Sequence, residues 1–224
     1  MTDDKIKVNT PEKWMDGWNQ QYKRLLKEDD LTKLEYSYVH YPVQQLFWFN
    51  HGRIENDKKE RIAFELACGD GRVSCFLAQN GYTVEAIDAL PSAIELTHKR
   101  MKQLGLSEDQ IKVSLANMDN LVLEQETYDV IIALQCLQYL FGRAIPKIQE
   151  ILAAIKPGGF FVYSGNIPPH EKTEPPMHFI TRVELETELK GWIIHSIGEN
   201  IVRLSPEKTR GYLFVVAQKL LLKR

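Results

Sequence analysis

The segment Glu65-Leu66-Ala67-Cys68-Gly69-Asp70-Gly71-Arg72 follows a short apolar run, and Asp88 stands 23 residues beyond Glu65. Two glycines at this spacing let the backbone approach a bound molecule closely and turn tightly into a helix. An acid at position 88, ending the next apolar run, can accept hydrogen bonds from both ribose hydroxyls of an adenosine ligand. A lone Gly-x-Gly also serves as a plain turn, and Asp88 could simply cap a helix starting near Pro91. The two features together, in this order, favour a nucleoside site.

Two adenosine ligands use such a layout. The dinucleotide fingerprint is Gly-x-Gly-x-x-Gly, with a pyrophosphate at the helix N-terminus. Gly69 and Gly71 fit it, but Ser74 occupies the third position and Arg72 is the one obvious basic residue for a phosphate. S-adenosylmethionine (SAM) needs no phosphate site. It carries a sulfonium, an ammonium and a carboxylate, and the acid Glu65 at the end of the first strand suits a cationic ligand.

The elements that must position these residues alternate from about residue 60 onward. Strand-like runs are Ile62–Ala67, Tyr82–Ile87, Ile111–Leu115, Tyr128–Leu134 and Gly159–Tyr163. The fourth is nearly continuous in apolar residues, as a central parallel strand is. Pro91–Leu104 reads as a helix opened by Pro and stopped at Gly105. Arg143–Ile155 reads as another, from apolar residues at helical spacing. Short β and α units in alternation predict a parallel sheet covered on both faces. Trp192–Ile197 and Tyr212–Gln218 have no helix between them and predict an antiparallel hairpin closing the sheet.

Two regions lie outside this pattern, and the first of them divides the chain into 1–50 and 51–224. In residues 1–50, Trp14, Trp18 and Tyr22 share one helical face, followed by Tyr36, Tyr38 and Tyr41. This aromatic-rich helical extension is either a lid over a site or a packing surface for the outer helices. Residues 165–178 hold four prolines with His170 and His178, and read as a stiffened loop.

Several motifs in register carry a family resemblance. Glu65–Arg72 resembles the first motif of class I SAM-dependent methyltransferases, usually written D/E-x-G-x-G-x-G, and Ile87–Ile94 resembles the second. Tyr128-Asp129-Val130-Ile131 and Lys156-Pro157-Gly158-Gly159 resemble the fourth- and fifth-strand signatures. The resemblance implies an α/β, Rossmann-like, mostly parallel seven-stranded sheet with helices on both faces and the antiparallel C-terminal hairpin. It implies SAM as cofactor, held by Glu65, Ala67, Gly69, Gly71, Asp88 and Ala89. Asn117 would reach the adenine amino group through its side-chain oxygen, Met118 would pack on the ring, and Asp119 is the alternative contact. Ala67 departs from the pattern, where a glycine is expected, because Ala resists most positive-φ conformations. A narrower resemblance, through Tyr139–Pro146, Glu184-Leu185 and Lys190-Gly191-Trp192, is to tellurite-resistance methyltransferases, with the Trp-rich N-terminus similar to thiopurine methyltransferases. It implies a small-molecule acceptor, including soft sulfur, selenium or tellurium nucleophiles.

Methyl transfer is an in-line displacement, in which alignment and exclusion of water can supply most of the acceleration. Gln135, after the fourth strand, is the expected pocket residue for cofactor or acceptor, and His170 and His178 are candidate bases. Cys136 reads as a core thiol. The histidines lack metal-ligand spacing, so no metal is expected. With 28 basic and 30 acidic residues, no field of one sign points to nucleic acid or an anionic membrane. Three cysteines without a Cys-x-x-Cys pair, and a charged N-terminus without an apolar stretch behind it, suggest a cytoplasmic chain. The competing readings are a protein or nucleic-acid methyltransferase, an NAD-dependent oxidoreductase and a non-catalytic SAM-binding regulator.

Overall fold

The structure, a computed structural model, describes residues 11–31, 40–54, 60–169, 177–205 and 208–221. Two helices precede the sheet, α1 (Pro11–Leu25) and α2 (Tyr41–Ile54). The alternating part follows as β1 (Arg61–Leu66), α3 (Arg72–Gln79), β2 (Tyr82–Asp88), α4 (Pro91–Leu104), β3 (Ile111–Leu115) and β4 (Tyr128–Leu134). A 3₁₀ segment (Leu137–Arg143) leads into α5 (Ala144–Ala154) and β5 (Ile155–Ile167). The chain ends in α6 (Arg182–Glu188), β6 (Ile193–Ser205) and β7 (Lys208–Gln218).

The seven strands form one sheet in the order β3-β2-β1-β4-β5-β7-β6. The first five pair in parallel, while β7 runs antiparallel to both β5 and β6. The strand order reverses at β1, which lies between β2 and β4. In open α/β sheets this switch point opens a crevice at the carboxyl ends of the strands.

Parallel strands are buried on both faces, and alternate residues of one strand feed opposite cores. Ala63, Val130, Ile132 and Val162 face α2, α3 and α4, with Val43, Leu46, Cys75, Leu77 and Met101 on the helix side. Phe64, Leu66, Ile131, Phe161 and Tyr163 face the other way, onto Ile148, Ile151 and Leu152 of α5 and Leu185 of α6. These are the helices on both faces that the alternation predicts.

The C-terminal hairpin is present but longer than the sequence suggests. β6 continues through Gly198 and Asn200, residues that disfavour strands. Pairing with β7 overrides that preference, and Gly198 makes room for a ring: a Cβ there would lie 2.6 Å from Cζ of Phe214. β5 likewise runs to Ile167, into the expected loop. Between β5 and β6 the sequence reading missed α6. Its signal was Thr181 with Glu184, which form a capping box: Thr181 Oγ1 accepts from Glu184 N at 3.2 Å and the Glu184 carboxylate accepts from Thr181 N at 2.8 Å.

Candidate functional site

A cleft of about 1050 Å³ opens at the carboxyl ends of β1, β2 and β4. Glu65, Ala67, Gly69, Asp88, Ala89, Asn117, Met118 and Gln135 all line it. Gly71 lies at the base of the same loop, as the left-handed N-cap of α3 (φ 70°). His178 is not among the lining residues: its Nε2 lies 3.4 Å from Glu184 Oε1 at the start of α6. His170 falls outside the described residues. Among the described residues, no group of three or more His, Cys, Asp or Glu side chains could hold a metal ion.

The loop after β1 is held from three sides. Asp88 Oδ2 accepts from the Gly69 amide at 3.0 Å, and Oδ1 from the Leu90 amide at 2.9 Å. The acid therefore ties the two cofactor-type loops together, and the turn contact considered for it in the sequence coexists with its place on the cleft. A carboxylate has about four lone-pair sites, so these two bonds leave capacity for ligand hydroxyls. Burial raises the Asp88 pKa, against the amide hydrogen bonds that lower it.

Behind the loop, Asp70 pairs with Arg72 at 2.9 Å and with the buried Arg100 at 3.0 Å. Arg100 also donates to the carbonyl oxygens of Asp70 (2.8 Å) and Leu31 (3.1 Å). Sequence reading missed this brace, because Arg100 is 30 positions from Asp70 on an unremarkable helix face. Ala67 adopts φ 54° despite its methyl group. The resistance expected of Ala there is overcome by the packing of the surrounding loop, at a cost of about 1–2 kcal/mol.

Glu65 is 4% exposed, and Ser74 Oγ donates to its carboxylate. Ser74 is the residue that breaks the dinucleotide fingerprint, and here it holds the acid. Burial pushes the Glu65 carboxyl up to about 8, although the serine hydrogen bond opposes this. Asn117 Oδ1 accepts from the Asp119 amide at 3.0 Å, so the oxygen expected to meet an adenine amino group already serves its own turn with one lone pair. Asp119 forms a 2.5 Å ion pair with Arg143 of the 3₁₀ segment, bridging the loop after β3 to the loop after β4.

Gln135 takes a positive φ of 55° at the end of β4. Its amide donates to Ser164 O at 2.6 Å and its side-chain nitrogen to Ser164 Oγ at 2.9 Å. Cys136 is 2% exposed, with its thiol pKa raised chiefly by burial, which suits a core thiol better than a nucleophile.

The remaining wall comes from α1. Trp14, Met15, Trp18, Gln21, Tyr22 and Leu25 all line the cleft, at the spacing of one helix face. Trp18 Nε1 donates to the Tyr139 hydroxyl at 3.1 Å, and the Trp14 and Tyr139 rings lie 5.7 Å apart. The Tyr22 hydroxyl sits over Gly69, 2.8 Å from where a Cβ would be. The segment is anchored on α4: Ser92 Oγ donates to Asn19 Oδ1 at 2.7 Å, Lys99 Nζ to Leu26 O at 2.8 Å and Gln103 Nε2 to Asp29 O at 2.7 Å. The N-terminal segment thus both packs on an outer helix and turns its aromatic face to the cleft. His40, which the sequence reading passed over, also lines the cleft; no motif surrounds it.

Residues 63–159 match a family described as a methyltransferase domain. The ubiquinone biosynthesis O-methyltransferase of Rickettsia conorii is 26% identical over 140 residues, 62% of this chain and 44% of that protein. The sterol 4-C-methyltransferase of Caenorhabditis elegans is 28% identical over 100 residues, 44% of this chain and 29% of that protein. The matches thus span less than half the length of these curated relatives. Among solved structures, TehB from Haemophilus influenzae is similar with a TM-score of 0.66 at 22% identity, over 86% of this chain and 67% of that one. The magnesium protoporphyrin IX methyltransferase of Synechocystis with bound SAM gives 0.63 at 14%, over 96% and 99%. The [4+2]-cyclase SpnF gives 0.65 at 14%, over 96% and 98%.

With this domain match and sheet order, the chain is similar to SAM-dependent methyltransferases, and the ligand that the similarity implies is SAM. The cleft fits that ligand. Gly69 sits at positive φ in the loop that lines the cleft, where a side chain would intrude, and the acids Glu65 and Asp88 face a ligand that carries two positive charges and a ribose.

Proposed function

We propose that this protein transfers the methyl group of SAM to a small organic molecule bound in the same cleft. The observation that carries this is the lining of the cleft: the acids Glu65 and Asp88 and the loop backbone come from the ends of β1 and β2, and aromatic side chains come from α1 and Tyr139. At about 1050 Å³ it reaches the top of the range of ~300–1,000 Å³ usual for one drug-sized ligand, so an acceptor fits beside the cofactor. The names of the relatives support small acceptors: a ubiquinone biosynthesis enzyme and a sterol enzyme. The fold alone does not decide the reaction, since the similar SpnF is named a cyclase.

When bound, SAM supplies a methyl group already activated on sulfonium sulfur. The residues of this chain then have three tasks. Asp88 receives the ribose hydroxyls, and Glu65 with the Gly69–Gly71 loop holds the amino-acid end. Ala89, Asn117 and Met118 flank the adenine. Gln135 and the α1 face line up the acceptor and keep water out, with α1 acting as a lid, so that donor and acceptor meet in line. A soft sulfur, selenium or tellurium centre is served by this arrangement when it is carried on an organic body, since a bare oxyanion would leave the aromatic wall without contact. Balanced charge supports the reading without nucleic acid as substrate. No helix among the described residues is long and apolar enough to cross a membrane; with three buried free cysteines, we place the protein in the cytoplasm.

Titration calorimetry with SAM, S-adenosylhomocysteine and NAD tests the cofactor side. Binding of the first two and not the third is the expected result; NAD binding alone would overturn the reading. A screen of thiols, phenols, selenite and tellurite with labelled SAM then reads the acceptor, and transfer to none of any class would favour a regulator.

Two smaller tests address the acids. Asp88→Ala should weaken SAM binding by about 1–3 kcal/mol, the cost of leaving polar partners unpaired; unchanged affinity in calorimetry would reduce Asp88 to its role between two loops. Glu65 predicts a pH dependence. Its carboxyl is protonated in the free protein below about 8, whereas a cationic ligand favours the ionised form. Binding then releases a proton, and affinity should rise with pH toward 8, by up to about tenfold per unit. The free protein should show the opposite trend. A carboxyl whose folded pKa exceeds its unfolded value contributes stability at low pH, lost as pH rises through about 8. Glu65→Gln should flatten both curves, and an unaltered affinity profile would remove Glu65 from the ammonium site.

A further inference from the structure

The cleft contains a titratable group that cofactor binding does not use. His40 directly precedes α2, and its carbonyl accepts from the amides of Val43 (2.9 Å) and Gln44 (3.2 Å), which fixes its backbone at the start of that helix. The neighbouring Tyr41 ring meets Phe214 edge-on at 5.8 Å. Phe214 pairs across the sheet with Ser164, whose hydroxyl accepts from the Gln135 side chain. On its other side His40 feels the charges of Arg72 and Asp70, at the start of α3. It therefore stands on the cleft wall near Asp70 and Arg72, after β1. Among the described residues it is the one histidine lining the cleft.

The rest of the wall indicates what kind of molecule it would meet. Trp14, Trp18, Tyr22 and Tyr139 offer flat apolar faces, with Trp18 and Tyr22 stacked at 5.9 Å. Such rings bind planar aromatic bodies by offset or edge-on contact.

We propose that the acceptor is a planar aromatic molecule with a hydroxyl group, and that His40 is the base that removes the hydroxyl proton. The proposal rests on the methyltransferase reading above and names the substrate class for that same site. A thiolate needs no base, whereas an aromatic hydroxyl that is protonated near neutral pH does. Burial, aided by the Arg72 charge and opposed by Asp70, lowers the His40 pKa below the ordinary histidine value, so the ring is neutral and able to accept. An imidazole nitrogen takes the proton as the acceptor oxygen bonds to the methyl carbon. The carbon–sulfur bond breaks with its electron pair left on sulfur. The products are a methyl ether, neutral S-adenosylhomocysteine and an imidazolium that returns its proton to solvent.

The test compares the full-length wild type with His40→Gln, using catechol and 4-nitrothiophenol as acceptors and labelled SAM. Catechol carries a protonated hydroxyl near neutral pH; the thiol is already ionised. The variant should lose about 100-fold or more of its catechol rate, the low end of what a positioned base contributes, and be affected at least about tenfold less with the thiol. The acidic limb of the wild-type pH profile for catechol should disappear in the variant. Calorimetry should show S-adenosylhomocysteine binding retained. In NMR the His40 ring signal should titrate below the ordinary histidine range and shift when catechol is added. Equal losses with both acceptors, no loss with either, or a wild type that methylates the thiol but not catechol would each overturn the proposal. A wild type that binds no SAM would overturn the reading beneath it.

Discussion

Gly71→Val is expected to cost the protein about 2–5 kcal/mol of stability, because a strained backbone and a blocked core position coincide there. Gly71 holds φ 70° as the N-cap of α3, a conformation that β-branched residues resist strongly. A Cβ at this position would lie 2.5 Å from Cγ2 of Thr97, which is fully buried on α4. Thr97 cannot withdraw, since its hydroxyl donates to Gly69 O at 3.2 Å. The penalty is a large share of the ~5–15 kcal/mol that holds a domain folded. Thermal unfolding should show it directly, and a melting temperature equal to that of the wild type would contradict the packing described here. Gly69 is the informative contrast. Its Cβ would meet only the far end of the Tyr22 side chain, which can swing away. Gly69→Ala should remain folded and lose SAM affinity, because the methyl group enters the cradle itself.

Removing residues 1–30 is expected to leave a folded protein that still binds SAM but transfers methyl groups at least about 100-fold more slowly, the scale of loss from a misplaced acceptor. Neither core cluster contains a residue before Val43, so the sheet and its covering helices keep their interior. The deletion removes the wall formed by Trp14, Trp18 and Tyr22, together with the Trp18–Tyr139 hydrogen bond. Water then enters and the acceptor loses its orientation. Circular dichroism checks folding, calorimetry checks SAM, and a labelled-methyl assay checks turnover. Full turnover in the truncated chain would remove the lid role. Loss of folding would show that the bonds to Ser92, Lys99 and Gln103 carry more of the stability than the cores suggest.

The sequence by itself determined the order of β and α units and the loops that end β1 and β2. These are local properties: runs of apolar residues, glycines at turns and acids at strand ends are legible within a few positions. It also determined that Glu65, Gly69 and Asp88 would meet, since parallel neighbours joined by one helix bring their carboxyl ends together. Only the tertiary structure decided what completes the cleft. Nothing near Ser74 in the chain shows that its hydroxyl would hold Glu65, or near Arg100 that its guanidinium would brace Asp70. His178, set apart by its Pro-rich loop, pairs with Glu184 at α6, while His40, which no motif marks, faces the cleft. The face Trp14–Trp18–Tyr22 was visible as a helical stripe, but its target was not. That depended on hydrogen bonds to α4, about 70 residues away, and a periodic pattern reports which side of a helix is buried without reporting what buries it.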